Sequence, residues 1–403
     1  MPTEPSTQPA PARSGGRYAD AEAVARALRP SYPVYLLRPH RLAENARAFL
    51  ERFPGTVLYA VKCNPAPQVL RALYQAGIRH FDTASLPEIA QISETYPEAH
   101  TYFMHPVKGR AVIRTAYEVY GVRHFVVDHA SELEKVLEEA AKGPREELTI
   151  LVRLTTPPAA GTLYHLAAKF GCSESEAVAL LRRAHAAGCH VGLAFHVGSQ
   201  CRSPGAYGTA LEICGRVAAE AGVPLACLDV GGGFPADYVE MVAPELDLYF
   251  DEIRRGLSHN GFVSLEVFCE PGRALVASGC SLLIQVQLRK DGQLYVNDGI
   301  YGSLSEMVDA GIRLPVRLVR PDGPAPSDEL REFTVNGPTC DSLDVLPQRF
   351  LLPDDVREGD WIEVDQIGAY SNALATHFNG FFPETFVTVE DAPLALRLDG
   401  QAA

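Results

Sequence analysis

The sequence has no run of about 18 or more apolar residues, so nothing in it reads as a membrane-spanning helix. It has no C-x-x-C pair. Its nine cysteines, at 63, 172, 189, 201, 214, 227, 269, 280 and 340, are odd in number and scattered. That argues against a disulfide framework or a structural zinc site, and for reduced thiols in a cytoplasm. Basic charge is scarce: 36 Lys and Arg stand against 50 Asp and Glu, a formal net charge of −14. A general nucleic-acid binder would show a basic face instead. The opening MPTEPSTQPAPARSGG lacks the apolar core of a signal peptide and, rich in Pro, Ser and Thr, reads as a disordered tail over 1–17.

What remains is an ordinary globular composition, 47% apolar and 21% charged, over 403 residues. That length exceeds one typical domain, so two are expected. From Thr56 to Glu270 one pattern repeats. Short apolar runs at 56–62, 78–83, 100–104, 123–128, 148–154, 190–197, 225–231 and 264–270 read as strands. Between them lie segments such as APQVLRALYQAG, LPEIAQISETY, ASELEKVLEEAAK and SESEAVALLRRAHAAG, whose apolar residues recur at three and four. Near-continuous apolar strands alternating with helices imply a parallel sheet covered by helices, and eight such units favour a closed (β/α)8 barrel. After Pro271 alternating, aromatic segments with turns such as Asp291-Gly292 suit antiparallel strands. The expected division is therefore a barrel over 41–273 and a C-terminal all-β domain over 274–395, which the segment 18–40 joins by adding an early strand.

Lys62, Asp82, Asp128, Arg153, His196, Gly231 to Gly233 and Glu270 all fall at or just beyond the C-terminal ends of the expected strands. In barrels that rim carries the chemistry. Strand ends also carry polar caps, and for Asp128 or Arg153 alone the two readings balance. A strand-end lysine read alone is more often a solvated cap. Pointing into a barrel mouth, Lys62 would be desolvated, and desolvation lowers an ammonium's pKa and supplies the neutral amine that attacks an aldehyde. Three glycines after a strand, Gly231 to Gly233, let backbone N–H groups close around an anion, though a triple glycine also makes a tight turn. Arg273 adds a charge-assisted partner for that anion. Glu270 suits a carboxylate that keeps a pyridine nitrogen protonated, His196 is placed to stack on such a ring, and Ser199 to bond a phosphate. The bland alternatives are a satisfied strand-end histidine and a loop serine.

The motifs YAVKCNP, FDTAS, HVGSQ, GGGFP, EPGR, NDGIYGS, GPTCDSLD and GAYSNALATHFNGF appear in this order. Together they closely resemble the fold-type III decarboxylases, the ornithine/diaminopimelate decarboxylase family, from about Tyr35 to Phe382. The resemblance implies a barrel of the alanine-racemase type, a C-terminal β domain and a head-to-tail homodimer. It implies pyridoxal 5'-phosphate as cofactor, no metal, and decarboxylation through a Schiff base and a quinonoid intermediate. Lys62 would carry the cofactor, His196 would stack on its ring, and Glu270 would hold the pyridine nitrogen with Asp82 near the ring. Ser199, Gly231, Gly232, Gly233, Arg273 and Tyr370 would bind phosphate. Cys340 would be the proton donor, reaching across from the partner subunit, and Asp341 would meet the substrate's distal amine.

GPTCDSLD matches the ornithine-type pattern, and the CESGD-like pattern of diaminopimelate decarboxylases is absent. The resemblance thus implies ornithine or lysine as substrate. The chain departs from the family in the stretch NDGIYGSLSEMVDAGIRLP, where a YDH-type segment is usual. Asp309 sits one position from the expected acid, and Arg313 adds a positive charge. Arg313 is either a solvated loop residue or a partner for a substrate carboxylate, as in a conjugated amino acid of a siderophore or natural-product pathway. Rival readings are a racemase on the same barrel, a non-catalytic regulator and a carrier of the cofactor.

Overall fold

The computed structural model describes residues 16–140, 143–158, 161–163 and 169–396. The expected tail lies outside the described residues except at Gly16 and Arg17. Arg17 is not tail: β1 (Arg17–Tyr18) pairs in parallel with a strand at Thr388 and Val389, because backbone bonds from Thr388 and Glu390 draw it into a sheet.

The described residues form two compact units: one from 16–39, 280–367 and 374–396, the other within 40–279 and 368–373. After β2 (Val34–Leu37) the second unit begins. Its eight strands are β3 (Thr56–Ala60), β4 (His80–Thr83), β5 (His100–Phe103), β6 (His124–Val127), β7 (Thr149–Arg153), β8 (His190–Ala194), β9 (Cys227–Asp229) and β10 (Glu266–Cys269). All neighbours are parallel, and β10 closes onto β3. Each expected strand is present, trimmed by a residue or more where polar or turn residues begin. One trimming matters. β3 stops at Ala60, and Val61–Cys63 is a 3-10 turn closed by Asn64 N–H to the Val61 carbonyl. Lys62 therefore sits on a turn at the barrel's mouth rather than on the strand.

The crossover helices form where the spacing predicts, at Pro67–Gln75, Leu86–Thr95, Ala130–Glu139 and Glu174–Ala186. Ser85 and Ser173 cap two of them, the latter in a reciprocal capping box with Glu176. The last of these helices is capped at Ala187, and Gly188, at φ +89°, turns the chain away one residue past that cap.

The other unit is a nine-stranded sheet. Its long strand β11 (Cys280–Lys290) pairs with β2 and turns through Asp291-Gly292 into β12 (Gln293–Val296). The remaining strands are β13 (Val316–Val319), β14 (Leu330–Asn336), β15 (Phe350–Pro353), β16 (Trp361–Val364) and β17 (Thr385–Val389). Most pairs are antiparallel, but β12 with β14 and β17 with both β1 and β2 are parallel. Arg38, wholly buried, bonds Glu363, Ser281 and Asp391 and ties β2, β11, β16 and the C-terminal segment together. A buried cation so partnered is costly to strip of one carboxylate, about 3–5 kcal/mol.

At the barrel's N-terminal end the first residues of β4, β5 and β6 are all histidine. His80 stacks on His100 at 4.9 Å and meets the Tyr102 hydroxyl at 2.9 Å, and Tyr102 packs 4.6 Å from His124. Burial, then the neighbouring imidazoles, lower His80 and His124 to about 4. An unfolded histidine titrates near 6.5, so between these values the unfolded chain holds the extra proton. The contribution of His124 is complete above about pH 6.5 and is lost as pH falls toward 4. Replacing His124→Phe removes that loss. Denaturant titrations at pH 7.5 and 4.5 are expected to show the variant gaining about 1–3 kcal/mol on wild type upon acidification; a pH-independent difference contradicts the assignment.

Candidate active site

Side chains on a strand alternate faces. Leu58, Tyr102, Met104, Val126, Leu151, Ala194, Cys227 and Phe268 form a core cluster. Two residues onward from Val126, Leu151, Ala194, Cys227 and Phe268, the same parity presents Asp128, Arg153, His196, Asp229 and Glu270 toward the mouth. Asp82 pairs in register with Ala60, one turn below Lys62. Asp229 was not singled out in the sequence, although it occupies this parity in LACLDVG and is 1% exposed.

The Lys62 ammonium donates to Asp82 Oδ2 at 2.8 Å. Desolvation alone would lower its pKa, but Asp82 and then Glu270 outweigh burial and raise it above the ordinary lysine value. The expectation of a desolvated, neutral amine is thus overturned, because the Lys62 side chain is 42% exposed and Asp82 holds its proton. Asp82 is buried, and its other oxygen, Oδ1, accepts no hydrogen bond. Glu270 is 9% exposed, and burial, then Asp229 and Asp82, hold its carboxyl well above the usual range. Burial pushes Asp229 up to about 7. The two carboxyls hydrogen-bond each other, an arrangement that needs one shared proton.

The glycine loop is held by residues that sequence reasoning missed. Tyr207 donates to the Gly232 carbonyl, Cys201 N–H to that of Gly233, and Gln200 clamps Ala236 at both its N–H and its carbonyl. A Cβ at Gly232 would stand 2.5 Å from the Glu270 carbonyl oxygen and 3.1 Å from His196 Nε2. Gly231 and Gly233 have φ of +68° and +102°, open to glycine without strain. His196 Nδ1 accepts from Gly198 N–H at 3.0 Å. Burial, then Arg153 and Lys62, keep the ring's pKa well below its ordinary value, so it is a neutral imidazole with its proton on Nε2. Ser199 is half-buried in this loop. Arg273 is buried, bonds the Tyr238 hydroxyl at 2.8 Å, and stands 5.0 Å from the Tyr370 ring. Tyr238 is a second residue that the sequence did not reveal. Tyr370, at φ +56°, is fixed by its N–H to the Cys63 carbonyl. Asp128 bonds Gly171 N–H and so holds a loop, while Arg153 stands 5.4 Å from the Phe170 ring.

On the sheet unit Cys340 is the exposed cysteine; the other eight are buried. Asp341, beside it, accepts from the Tyr301 hydroxyl and from Leu343 N–H, and these bonds hold its carboxyl below the usual range. Asp309 is exposed at the end of the short helix Ser305–Asp309, and Arg313 is half-buried after it. Among the described residues no group of three or more His, Cys, Asp or Glu converges as a metal site, and no helix is long and apolar enough to cross a membrane.

The model of the family described as "Pyridoxal-dependent decarboxylase, pyridoxal binding domain" matches residues 40–277. The chain is 32% identical over 387 residues to a lysine/ornithine decarboxylase of Selenomonas ruminantium, covering 94% of each chain. It is 31% identical over 366 residues to antizyme inhibitor 2 of Xenopus laevis, covering 83% of this chain and 75% of that one. Among solved structures, lysine/ornithine decarboxylase from Vibrio vulnificus complexed with putrescine superposes with a TM-score of 0.78 at 32% identity, covering 92% of this chain and 99% of that one.

The residues present fit pyridoxal phosphate. The glycine loop has no room for a side chain, the buried Asp82 oxygen has an open acceptor, and Arg273 is a buried cation beside Tyr238. Gly232→Ala places a methyl against the Glu270 carbonyl and the His196 ring. Fluorescence titration of the apoprotein is expected to show affinity for pyridoxal phosphate falling about tenfold or more, equivalent to about 1.4 kcal/mol; unchanged affinity removes the loop from that role.

With the pyridoxal-binding model matched across the barrel and near-full-length similarity beyond it, the chain belongs to the pyridoxal-dependent decarboxylase family.

Proposed function

We propose that the protein decarboxylates a basic L-amino acid, ornithine or lysine, to CO2 and the corresponding amine, with Lys62 carrying the cofactor. The observation that carries this reading is the Lys62–Asp82 pair backed by the Asp229–Glu270 carboxyl pair. Pyridoxal phosphate, when bound, supplies the electron sink for the bonding pair left as the substrate carboxylate departs as CO2. Lys62 must first lose a proton, and Asp82, 2.8 Å away, is the acceptor at hand. The pair of Asp229 and Glu270 holds a proton for the ring nitrogen. His196 offers a flat, neutral face for the ring. Arg273, Ser199, Tyr370 and the N–H groups of Gly231 to Gly233 hold the phosphate. Cys340 gives a proton to the carbon that has lost its carboxylate, and Asp341, kept ionised by Tyr301, meets the distal ammonium.

Cys340 and Asp341 act in this reading on a second copy of the chain. Exposed Leu343 and Val345 follow them in sequence, and exposed Leu374 and Phe378 lie further along the chain, apolar side chains that a second copy could cover. None of the nine cysteines is joined in a disulfide, which is in keeping with a reducing cytoplasm. A racemase would place arginine rather than a carboxylate pair against the ring nitrogen. A non-catalytic regulator would have no use for Lys62, Glu270, Arg273 and Cys340 together. A carrier would not need the sheet unit. The second substrate reading, a carboxylate-bearing conjugate, rests on Arg313 and Asp309.

Lys62→Ala is expected to abolish turnover, and Cys340→Ala to slow decarboxylation and divert some turnover from the amine to mis-protonated products. Mixed in equal amounts and allowed to exchange, they are expected to regain about one quarter of the wild-type rate of amine formation, since half the dimers carry one intact site. Wild-type turnover by Lys62→Ala contradicts the mechanism, and no recovery on mixing contradicts the shared site. A panel of ornithine, lysine, arginine, diaminopimelate and carboxylate-bearing conjugates is expected to show CO2 release from ornithine or lysine. Activity on conjugates alone would move the reading to Arg313.

A further inference from the structure

The proton-donor reading of Cys340 leaves open what keeps an exposed thiol on its loop in the form that gives a proton. The loop itself is rigid. Asp344, 2% exposed, accepts from Ile300 N–H through one oxygen and from both the N–H and the hydroxyl of Thr339 through the other. Built Cβ atoms at Gly299 and Gly337 would lie 2.2 Å from the same carboxylate, so the loop packs onto it without slack. Tyr301 then bonds Asp341 and packs tilted against Phe378 at 4.9 Å, while its carbonyl accepts from the N–H and the hydroxyl of Thr376.

Next to Phe378 comes Asn379. Its Oδ1 accepts from Cys340 N–H at 3.1 Å and from Cys340 Sγ at 3.2 Å. With both Cys340 groups as donors, this atom is the amide oxygen rather than the nitrogen. A bond from sulfur to an amide oxygen exists only while sulfur carries its proton, because a thiolate offers that oxygen nothing but repulsion. Asn379 sits at φ +51°, a conformation asparagine tolerates and most residues do not. It is exposed, so its place on this turn is not explained by packing.

We propose that Asn379 is a positioning residue for the proposed decarboxylation: its amide oxygen orients the Cys340 side chain and holds it as S–H, so that the sulfur donates a proton rather than acting as a nucleophile. The inference rests on the proton-donor reading of Cys340. It adds a residue that acts through the thiol it bonds.

Two variants separate the acceptor from the backbone. Asn379→Gly removes the oxygen and keeps the positive φ without strain. Asn379→Asp keeps an oxygen in the same place and also tolerates that φ. Because the other eight cysteines are buried, iodoacetamide followed by peptide mass analysis reads Cys340 in the intact protein, with no turnover required. Asn379→Gly is expected to alkylate about threefold or more faster than wild type. During turnover it should divert product from the amine to mis-protonated product, in the manner of Cys340→Ala. Asn379→Asp is expected to match wild type in product distribution and to alkylate no faster. Wild-type alkylation and product distribution in Asn379→Gly, with Cys340→Ala altered, overturn the proposal while leaving the proton-donor reading intact. So does an Asn379→Asp protein that behaves like Asn379→Gly. An unaltered Cys340→Ala protein overturns the underlying reading instead.

Discussion

The ion pair between Lys62 and Asp82 is the contact around which the barrel's mouth is organised. It brings an ammonium to the rim of a fold whose inward parity also delivers Asp229 and Glu270. Carboxylates this close cannot all ionise cheaply in a dry site. The structure resolves the conflict by leaving a proton between Asp229 and Glu270 and by keeping Lys62 charged. Remove Lys62, and the buried Asp82 loses its cation; with the Lys62 side chain 42% exposed, the cost falls below the about 3–5 kcal/mol of a fully buried pair. Stability and chemistry are therefore tied to the same atoms.

The second constraint is steric. The turns after β8, β9 and β10 meet where Gly232 lies, with the Glu270 carbonyl and the His196 ring both against the space a side chain would fill. Gln200, Cys201 and Tyr207 bond this backbone in place. Thus the His196 ring, the glycine loop and the acid pair are fixed relative to one another by backbone contacts. Side-chain rotamers have little left to decide. The loop bearing Cys340 is built by the same logic around one buried carboxylate, Asp344.

Much of this was legible in the chain. Eight apolar runs and their helical spacers yield the closed barrel, because strand and helix periods are local properties. Lys62, His196, Glu270 and Arg273 stand out because a polar residue at the end of an apolar strand breaks its pattern. Asp229 escaped notice because its neighbours Val230 and Gly231 extend the apolar run past it, and only parity with Cys227 reveals where it points. Tyr238, Gln200 and Asn379 lie in loops, where no period marks an inward residue. The protonation of Lys62 was misjudged for another reason. Burial can be guessed from one strand, whereas the opposing charges come from β4 and β10, distant in sequence. Arg17 was assigned to a tail because its pairing partner lies some 370 residues downstream.

The most direct test of the account is to trap the cofactor where it is said to bind. Protein purified with pyridoxal phosphate is reduced with sodium borohydride and digested, and the peptides are weighed. The account predicts a single pyridoxyl-phosphate adduct on the peptide containing Lys62, lost in Lys62→Ala. An adduct on Lys108 or Lys169 with Lys62 unmodified, or no adduct on a folded, cofactor-saturated protein, would contradict it.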